Sequence, residues 1–121
     1  MLVAAALASV RHVATATDLR VHHQTQVATL KAALTAARIP ILATDTHIVP
    51  VMIGDAKRCK AVTDSLRDRH GIYVQPINHP TVPKGTERLR LTPSPLHTDA
   101  HIATLVAALA TELARHGVSQ A

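Results

Sequence analysis

The spacing of apolar residues along the chain predicts four helices and three strands. Apolar residues three or four positions apart are typical of one helix face. They occur at Val3, Leu7 and Val10, at Val27, Leu30, Leu34 and Ala37, at Cys59, Val62 and Leu66, and at Ile102, Leu105, Val106, Leu109 and Leu113. Segments 47–53, 72–74 and 88–92 are rich in β-formers and predict strands. The order α-α-β-α-β-β-α indicates an α+β fold, with a small mixed or antiparallel sheet of about three strands covered by helices.

Residues typical of helix ends mark the predicted boundaries. Short polar side chains cap helix N-termini, and glycine commonly follows the C-terminus. The candidates are Thr15 with Asp18 before the second helix, Asp55 and Gly71 around the third, and Thr98 and Gly117 around the fourth. Pro40 should end the second helix near Arg38, because proline disfavours helical geometry in the residue before it. Pro50 lacks an amide N–H, so its strand is expected at a sheet edge or a bulge.

The composition suggests one small domain that normally packs against a larger protein part. The chain has 121 residues, of which 47% are apolar, and these are almost all Ala, Val, Leu and Ile. It contains no Phe or Trp, and Tyr73 is its single aromatic residue. Residues 2–10 have almost no polar side, since only Ser9 interrupts the aliphatic run. A surface helix normally has a broad polar face, so this segment is expected to be covered by protein.

The charge and the cysteine and histidine content of the chain limit the functions that it can be expected to have. The net charge is +5, but the basic residues are scattered and no aromatic cluster offers a stacking platform, so nucleic-acid binding is not expected. The single cysteine, Cys59, is expected in the core of a protein from a reducing compartment. The apolar start is too short to span a membrane. His22 with His23, or His97 with His101, lack partner ligands, so no metal site is expected.

The segment 88–92 combines an alternating strand with a stiffened loop. The two-residue period of a strand places Arg90 with Arg88 and Thr92 on one face and two leucines on the other. Four of the chain's seven prolines lie between residues 78 and 97, so they restrict the backbone on both sides of this strand. An arginine held in this way suits two parallel hydrogen bonds to a carboxylate. A solvated edge strand would show the same alternation.

At these residues the chain resembles a known family. "GIYVQPINHPTVPKGTERLRLTPSPLHT" (71–98) is similar to the C-terminal segment of the 5-aminolevulinate synthases, a branch of the pyridoxal-phosphate-dependent α-oxoamine synthase family. The similarity extends upstream through "THIVPVMIGDAKRCKAVTDSL" to "AAALASVRH" near the start. The Pro-Thr-Val-Pro and Arg-Leu-Arg motifs are shared with sister enzymes, whereas "GIYVQPIN" and "LTPSPLHT" indicate the aminolevulinate branch.

The resemblance implies an acyltransferase that condenses glycine with succinyl-CoA, releasing CoA and carbon dioxide, in the first step of haem and tetrapyrrole biosynthesis. It implies that Arg90 binds the glycine carboxylate and that Thr81 contacts succinyl-CoA. It also implies that the loop 78–87 is a mobile lid, which contains Pro80, Val82, Pro83, Lys84 and Gly85. His79 stands where a tyrosine is usual and Lys84 where an arginine is usual. Lysine keeps the positive charge but lacks the guanidinium that can donate two parallel hydrogen bonds, so the contacts of the lid are expected to be weaker.

The same resemblance places the cofactor chemistry outside this chain. The family lysine that binds pyridoxal phosphate lies upstream, and none of Lys31, Lys57, Lys60 or Lys84 matches it. The chain therefore has no expected catalytic residue and is expected to be inactive alone. Residues 1–14 correspond to a helix linking to a large domain, and 15–121 to the small C-terminal domain. The full-length enzyme is expected to be a cytoplasmic homodimer.

Two alternatives remain open. One is a non-catalytic α+β module that uses its basic face or its lid to bind an anionic metabolite or a protein partner. The other is the same domain of a sister α-oxoamine synthase.

Overall fold

The structure is a computed structural model that describes residues 1–118. The elements follow the predicted order and are α1 (Leu2–Thr15), α2 (Thr17–Ala36), β1 (Val49–Met52), α3 (Ala56–His70), β2 (Gln75–Ile77), β3 (Arg88–Leu91) and α4 (Asp99–Arg115). The α+β prediction is confirmed. Among residues 1–118, no helix is both long enough and apolar enough to cross a lipid bilayer.

The sheet is antiparallel, with β3 in the middle. Its strand order is β1-β3-β2, and Val51 pairs with Leu89 while Gln75 pairs with Arg90. β1 is therefore an edge strand, as Pro50 predicted, since proline cannot donate a ladder hydrogen bond. A single bridge from Ile41 to Val51 lies along the outer side of β1.

The core lies between one face of the sheet and three helices. Leu89 and Leu91 of β3 are buried there, as their alternation with arginines predicted. The helices contribute the apolar stripes predicted from sequence, and their fully buried members include Leu30, Leu34, Cys59, Val62, Leu66, Leu109 and Leu113. Small aliphatic residues thus fill this core without any aromatic side chain.

Two predicted N-caps and both predicted C-terminal glycines are confirmed, since Gly117 follows the end of α4 with φ 65°. The Asp55 side chain accepts a hydrogen bond of 2.8 Å from the Arg58 amide at the start of α3. Gly71 ends α3 with φ 66°, in the left-handed region that glycine adopts without steric penalty. The Thr98 side chain accepts from the His101 amide at the start of α4.

The predicted cap of α2 is wrong. Ala16 occupies the N-cap position and no side chain caps the helix. The Thr15 hydroxyl instead donates to the carbonyls of Arg11 and His12, because Thr15 is still the last residue of α1. Its hydroxyl is engaged with carbonyls at the end of α1, so it does not cap the N-terminus of α2.

The predicted strand at 72–74 is also misplaced. The strand is Gln75–Ile77, and residues 72–74 run from the end of α3 toward it without pairing. The hydrogen bonds of this segment explain the shift, because the Ile72 amide donates to the Leu66 carbonyl and so completes the end of α3. The other two strands lie within the predicted segments 47–53 and 88–92.

Helix α1 buries none of its residues. It packs mainly against the neighbouring α2, and its aliphatic side chains face solvent, with Leu2 and Val3 more than 80% exposed. The described residues therefore do not supply the cover that its composition predicts.

Candidate functional site

Arg90 lies on the exposed face of the middle strand. It pairs with Pro50 on one side and Gln75 on the other, so the sheet fixes its backbone from both directions. Its neighbour Arg88 donates from Nε to the Thr86 carbonyl at 2.8 Å and is partly buried. Within the part of the chain that the structure describes, the Arg90 guanidinium makes no hydrogen bond or ion pair. Of the two arginines, Arg90 is the one free to bind a ligand.

Arg90 lines a cleft of about 650 Å³. The cleft lies between the end of β3, the first two turns of α4 and the segment 70–75. Its polar lining includes His70, Tyr73, His97 and His101. Its apolar lining is Leu30, Ile72, Val74, Leu91, Ile102 and Leu105. The volume and the mixture of apolar walls with a few polar groups are typical of a small-molecule site.

The loop 78–87 does not line this cleft. Thr81 is exposed, and its amide donates to the Asn78 carbonyl at 3.0 Å in a local turn. The other residues assigned to the lid from sequence, Pro80, Val82, Pro83, Lys84 and Gly85, lie in the same loop, which joins β2 to β3. The structure therefore brings Arg90, but not Thr81, into the cleft.

Glu87 anchors the base of this loop. Its buried carboxylate accepts a hydrogen bond of 2.8 Å from the Gly85 amide. Its backbone carbonyl accepts from the amides of Ile53 and Gly54, which connect β1 to α3. Sequence reasoning did not single out Glu87, because a glutamate next to a strand is usually solvated.

A second residue that sequence reasoning missed is Glu112 of α4. Its side chain is fully buried, and its carboxylate accepts a 2.9 Å hydrogen bond from His70 Nε2. Arg69 and Arg115 approach the same carboxylate at 3.4 and 3.5 Å. The His70 hydrogen bond, aided by these two arginines, lowers the pKa of Glu112 although burial alone would raise it. The available signal was its position, three residues after Leu109 within an apolar stripe.

Cys59 is a core residue, as predicted. It is fully buried, and burial, with a smaller contribution from the charges of Glu87 and Asp55, raises the pKa of its thiol to about 12. A thiol with such a pKa is protonated at neutral pH, and the thiolate is the form that reacts as a nucleophile.

The lysines of this chain do not form a pyridoxal-phosphate site. Lys31 donates to the carbonyls of Thr44 and Thr46, and Lys60 pairs with Asp64. Lys57 and Lys84 are exposed, and none of the four lysines lines the cleft that contains Arg90. Pyridoxal phosphate requires a lysine positioned for a Schiff base. The residues present therefore do not fit this cofactor.

Metal ligands are not grouped in the part of the chain that the structure describes. No three His, Cys, Asp or Glu side chains there are arranged to hold a metal ion. The rings of His97 and His101 lie 6.1 Å apart edge to face, and each ring accepts a hydrogen bond from a backbone amide.

Comparison with known proteins agrees with this architecture. The family model for class I and II aminotransferases matches residues 1–109. The 5-aminolevulinate synthase of Bradyrhizobium diazoefficiens is 53% identical over 105 residues, which is 87% of this chain and 26% of that protein. The 5-aminolevulinate synthase of Rhizobium meliloti is 50% identical over 120 residues, which is 99% of this chain and 30% of that protein. The chain thus spans less than a third of the length of these relatives.

Solved structures show the same fold. A serine palmitoyltransferase of S. paucimobilis with a bound PLP–myriocin aldimine superimposes with a TM-score of 0.83 at 29% identity, over 93% of this chain and 28% of that one. An 8-amino-7-oxononanoate synthase of Francisella tularensis, 18% identical, has the same fold with a TM-score of 0.78, over 94% of this chain and 33% of that one. Together with the family match, these likenesses confirm that the chain belongs to the class I and II aminotransferase family and is similar within it to the 5-aminolevulinate synthases.

Proposed function

We propose that this chain is the C-terminal part of a 5-aminolevulinate synthase, the enzyme that condenses glycine with succinyl-CoA to 5-aminolevulinate, CoA and carbon dioxide. The observation that carries the proposal is the identity of about half of all positions to named 5-aminolevulinate synthases over nearly the whole chain. The free Arg90 guanidinium in the cleft supports it, since one of the two substrates is an amino acid with a carboxylate to bind.

Arg90 is the residue that we assign to the glycine carboxylate. Its backbone is fixed by strands on both sides, and its planar guanidinium can make two parallel hydrogen bonds to a carboxylate. Thr81 and the surrounding loop are assigned to succinyl-CoA. The loop is exposed and is held at its base by Glu87, which suits a segment that closes over a substrate and reopens.

The cofactor and the domain arrangement belong to the same proposal. Pyridoxal phosphate, which supplies the electron sink for the condensation, is bound by parts of the enzyme outside residues 1–121. Residues 1–14 connect to that larger domain and residues 15–121 form the small domain. We further propose that the complete enzyme is a homodimer in the cytoplasm. The exposed aliphatic side chains of α1 support an interface with a larger domain.

A chimeric enzyme tests this function. This chain replaces the matching C-terminal segment of the Rhizobium meliloti 5-aminolevulinate synthase, to which it is 50% identical over 120 residues. We expect the chimera to form 5-aminolevulinate. Arg90→Lys should raise the KM for glycine roughly 10- to 100-fold, because a charge-assisted hydrogen bond is lost, and should change the KM for succinyl-CoA much less. Thr81→Val should raise mainly the KM for succinyl-CoA, roughly two- to tenfold.

Arg88→Lys is the matched control, because Arg88 lies on the same strand but is engaged with the Thr86 carbonyl. It should leave both KM values nearly unchanged. A chimera that folds and binds pyridoxal phosphate but makes no product would contradict the proposed function. Equal effects of Arg90→Lys and Thr81→Val on both substrates would contradict the assigned roles.

A further inference from the structure

Two histidines from separate parts of the chain meet beside α2. His23 lies on α2 and His47 lies in the segment that leads into β1, and their ring centroids are 5.4 Å apart with the planes inclined at 53°. Two imidazoles that bind one metal ion through nitrogen at about 2.1 Å place their ring centroids roughly 5 Å apart. The observed separation therefore suits two ligands of a single ion. The partner of His23 in this contact is not its exposed sequence neighbour His22.

The hydrogen bond of His23 determines which of its nitrogens can bind a metal. Nε2 lies 3.0 Å from the Pro93 carbonyl oxygen, which can only accept, so Nε2 carries the proton. Nδ1 of the neutral ring then has a free lone pair, and it has no hydrogen-bond partner among residues 1–118. A metal-binding histidine characteristically donates its other ring N–H to a carbonyl or carboxylate, which fixes the tautomer and orients the ring. His23 already has this arrangement.

The segment that carries His47 is held against the same helix. Lys31 Nζ donates to the carbonyls of Thr44 and Thr46 at 2.6 and 3.0 Å. Within the segment, the Thr44 hydroxyl donates to the Ile48 carbonyl, and the Ile48 amide donates to the Thr46 hydroxyl. The His47 side chain is exposed, and neither ring nitrogen has a hydrogen-bond partner in the part of the chain that the structure describes. The backbone around His47 is thus fixed while its ring nitrogens stay available.

The histidine pair at the start of α4 lacks this property. Nδ1 of His97 accepts a hydrogen bond from the Ser94 amide, and Nδ1 of His101 accepts one from the Thr98 amide. A ring nitrogen that accepts carries no proton, so in both neutral rings Nε2 carries it and no free lone pair remains for a metal. The two centroids also lie further apart, at 6.1 Å. Of the two pairs, only His23 and His47 offer free nitrogen lone pairs.

We propose that His23 and His47 bind a divalent transition-metal ion, with water in its remaining coordination positions. Imidazole nitrogen suits Zn²⁺, Ni²⁺ and Cu²⁺, whereas Mg²⁺ and Ca²⁺ prefer oxygen ligands. Because the two ligands come from different elements, the ion joins α2 to the segment before β1. It stabilises the folded chain, as does any ligand that binds only the folded state. Neither histidine lines the cleft that contains Arg90, so the inference is independent of the proposed function.

Direct packing of the two rings is the competing interpretation, since aromatic rings also pack with centroids about 4.5–7 Å apart. His47→Phe separates the two interpretations. Phenylalanine keeps a ring at this position but removes both nitrogens, so it should preserve the packing and abolish binding of the metal. His22→Ala is the matched control, because it removes a histidine of the same helix that takes no part in the contact.

The experiment titrates the 121-residue chain with Zn²⁺ and measures the heat of binding, the histidine ¹⁵N resonances and the thermal unfolding temperature. We expect one-to-one binding, shifts of His23 Nδ1 and of one His47 ring nitrogen, and a raised unfolding temperature. The affinity should fall at least roughly tenfold in His47→Phe, because one of two protein ligands is lost. It should change by less than about twofold in His22→Ala. Ni²⁺ should rank the variants in the same order, and Mg²⁺ should give no response.

Equal Zn²⁺ affinity of the unaltered chain and His47→Phe would overturn the inference. A response confined to His97 and His101, or the absence of a one-to-one binding event, would also overturn it. The His47 side chain is exposed and makes no hydrogen bond among residues 1–118, so its replacement should leave the chain folded, which circular dichroism checks. If His47→Phe does unfold, the ¹⁵N resonances of His23 and His47 in the unaltered chain still decide.

Discussion

At the scale of single residues, Glu112 makes the stability of the chain depend on pH. Its pKa is lower in the folded chain than in the unfolded chain, mainly because His70 donates a hydrogen bond to it. A group with a depressed folded pKa binds fewer protons in the folded state. Its stabilising contribution is therefore present above the unfolded pKa, which is about 4.3. That contribution is lost as the pH falls through the lower, folded pKa.

Glu112→Gln should remove this dependence. At pH 7 we expect the free energy of unfolding to fall by about 1–3 kcal/mol, because buried donors lose a charged acceptor. Below pH 4 the variant and the unaltered chain should differ much less. Urea unfolding followed by circular dichroism at a series of pH values measures this. Asp64→Asn is the control, since Asp64 forms only partly exposed pairs with Lys60 and Arg67 and should change stability by less than about 1 kcal/mol. A pH-independent loss in Glu112→Gln would contradict the assignment.

The sequence showed where Arg90 points but not what surrounds it. Alternation along one strand was enough to place Arg90 on the face away from Leu89 and Leu91. The cleft was not predictable, because it requires the end of β3, the start of α4 and the segment 70–75 to meet in space. The contact between His70 and Glu112 spans 42 positions of sequence and has no local signal beyond a glutamate in an apolar stripe.

At the scale of secondary-structure elements, the capping rules predicted helix ends correctly where the capping residue lies at a single helix terminus. Asp55, Gly71 and Thr98 each act at a single terminus, and each was correctly predicted. The prediction that Thr15 caps α2 was wrong because Ala16 alone separates α1 from α2, so two helix ends compete for the same polar side chain. The prediction of a strand at 72–74 was wrong for a related reason, since the Ile72 amide donates a hydrogen bond to the Leu66 carbonyl at the end of α3.

Gly71 provides the test at this scale. A Cβ at position 71 would meet no atom within 4 Å, so any cost of Gly71→Ala comes from the backbone conformation and not from a clash. We expect a loss of about 1–2 kcal/mol, the usual penalty for alanine in the left-handed region. Gly71→Asn should lose less, because asparagine tolerates that region better. Thermal unfolding of both variants measures the effect, and equal losses would show that backbone conformation is not the cause.

At the scale of the whole molecule, α1 sets how the isolated chain behaves in solution. All residues of this helix are exposed, and its aliphatic side chains include Leu2, Val3, Leu7, Val10 and Val13. Contiguous exposed apolar surface drives association, because covering it removes apolar area from water. The remaining core of sheet and helices does not include any α1 residue. Association and folding should therefore be separable properties of this chain.

We expect the 121-residue chain to self-associate, and a version without residues 1–14 to be monomeric and still folded. Leu7→Lys combined with Val10→Lys should have a similar effect at full length, because two charges interrupt the aliphatic surface without removing the helix. Sedimentation velocity gives the oligomeric state, and circular dichroism confirms that the core is retained. A monomeric unaltered chain would show that α1 needs no further cover, which would favour an independent binding module. Unfolding of the shortened version would show that α1 supports the core through α2.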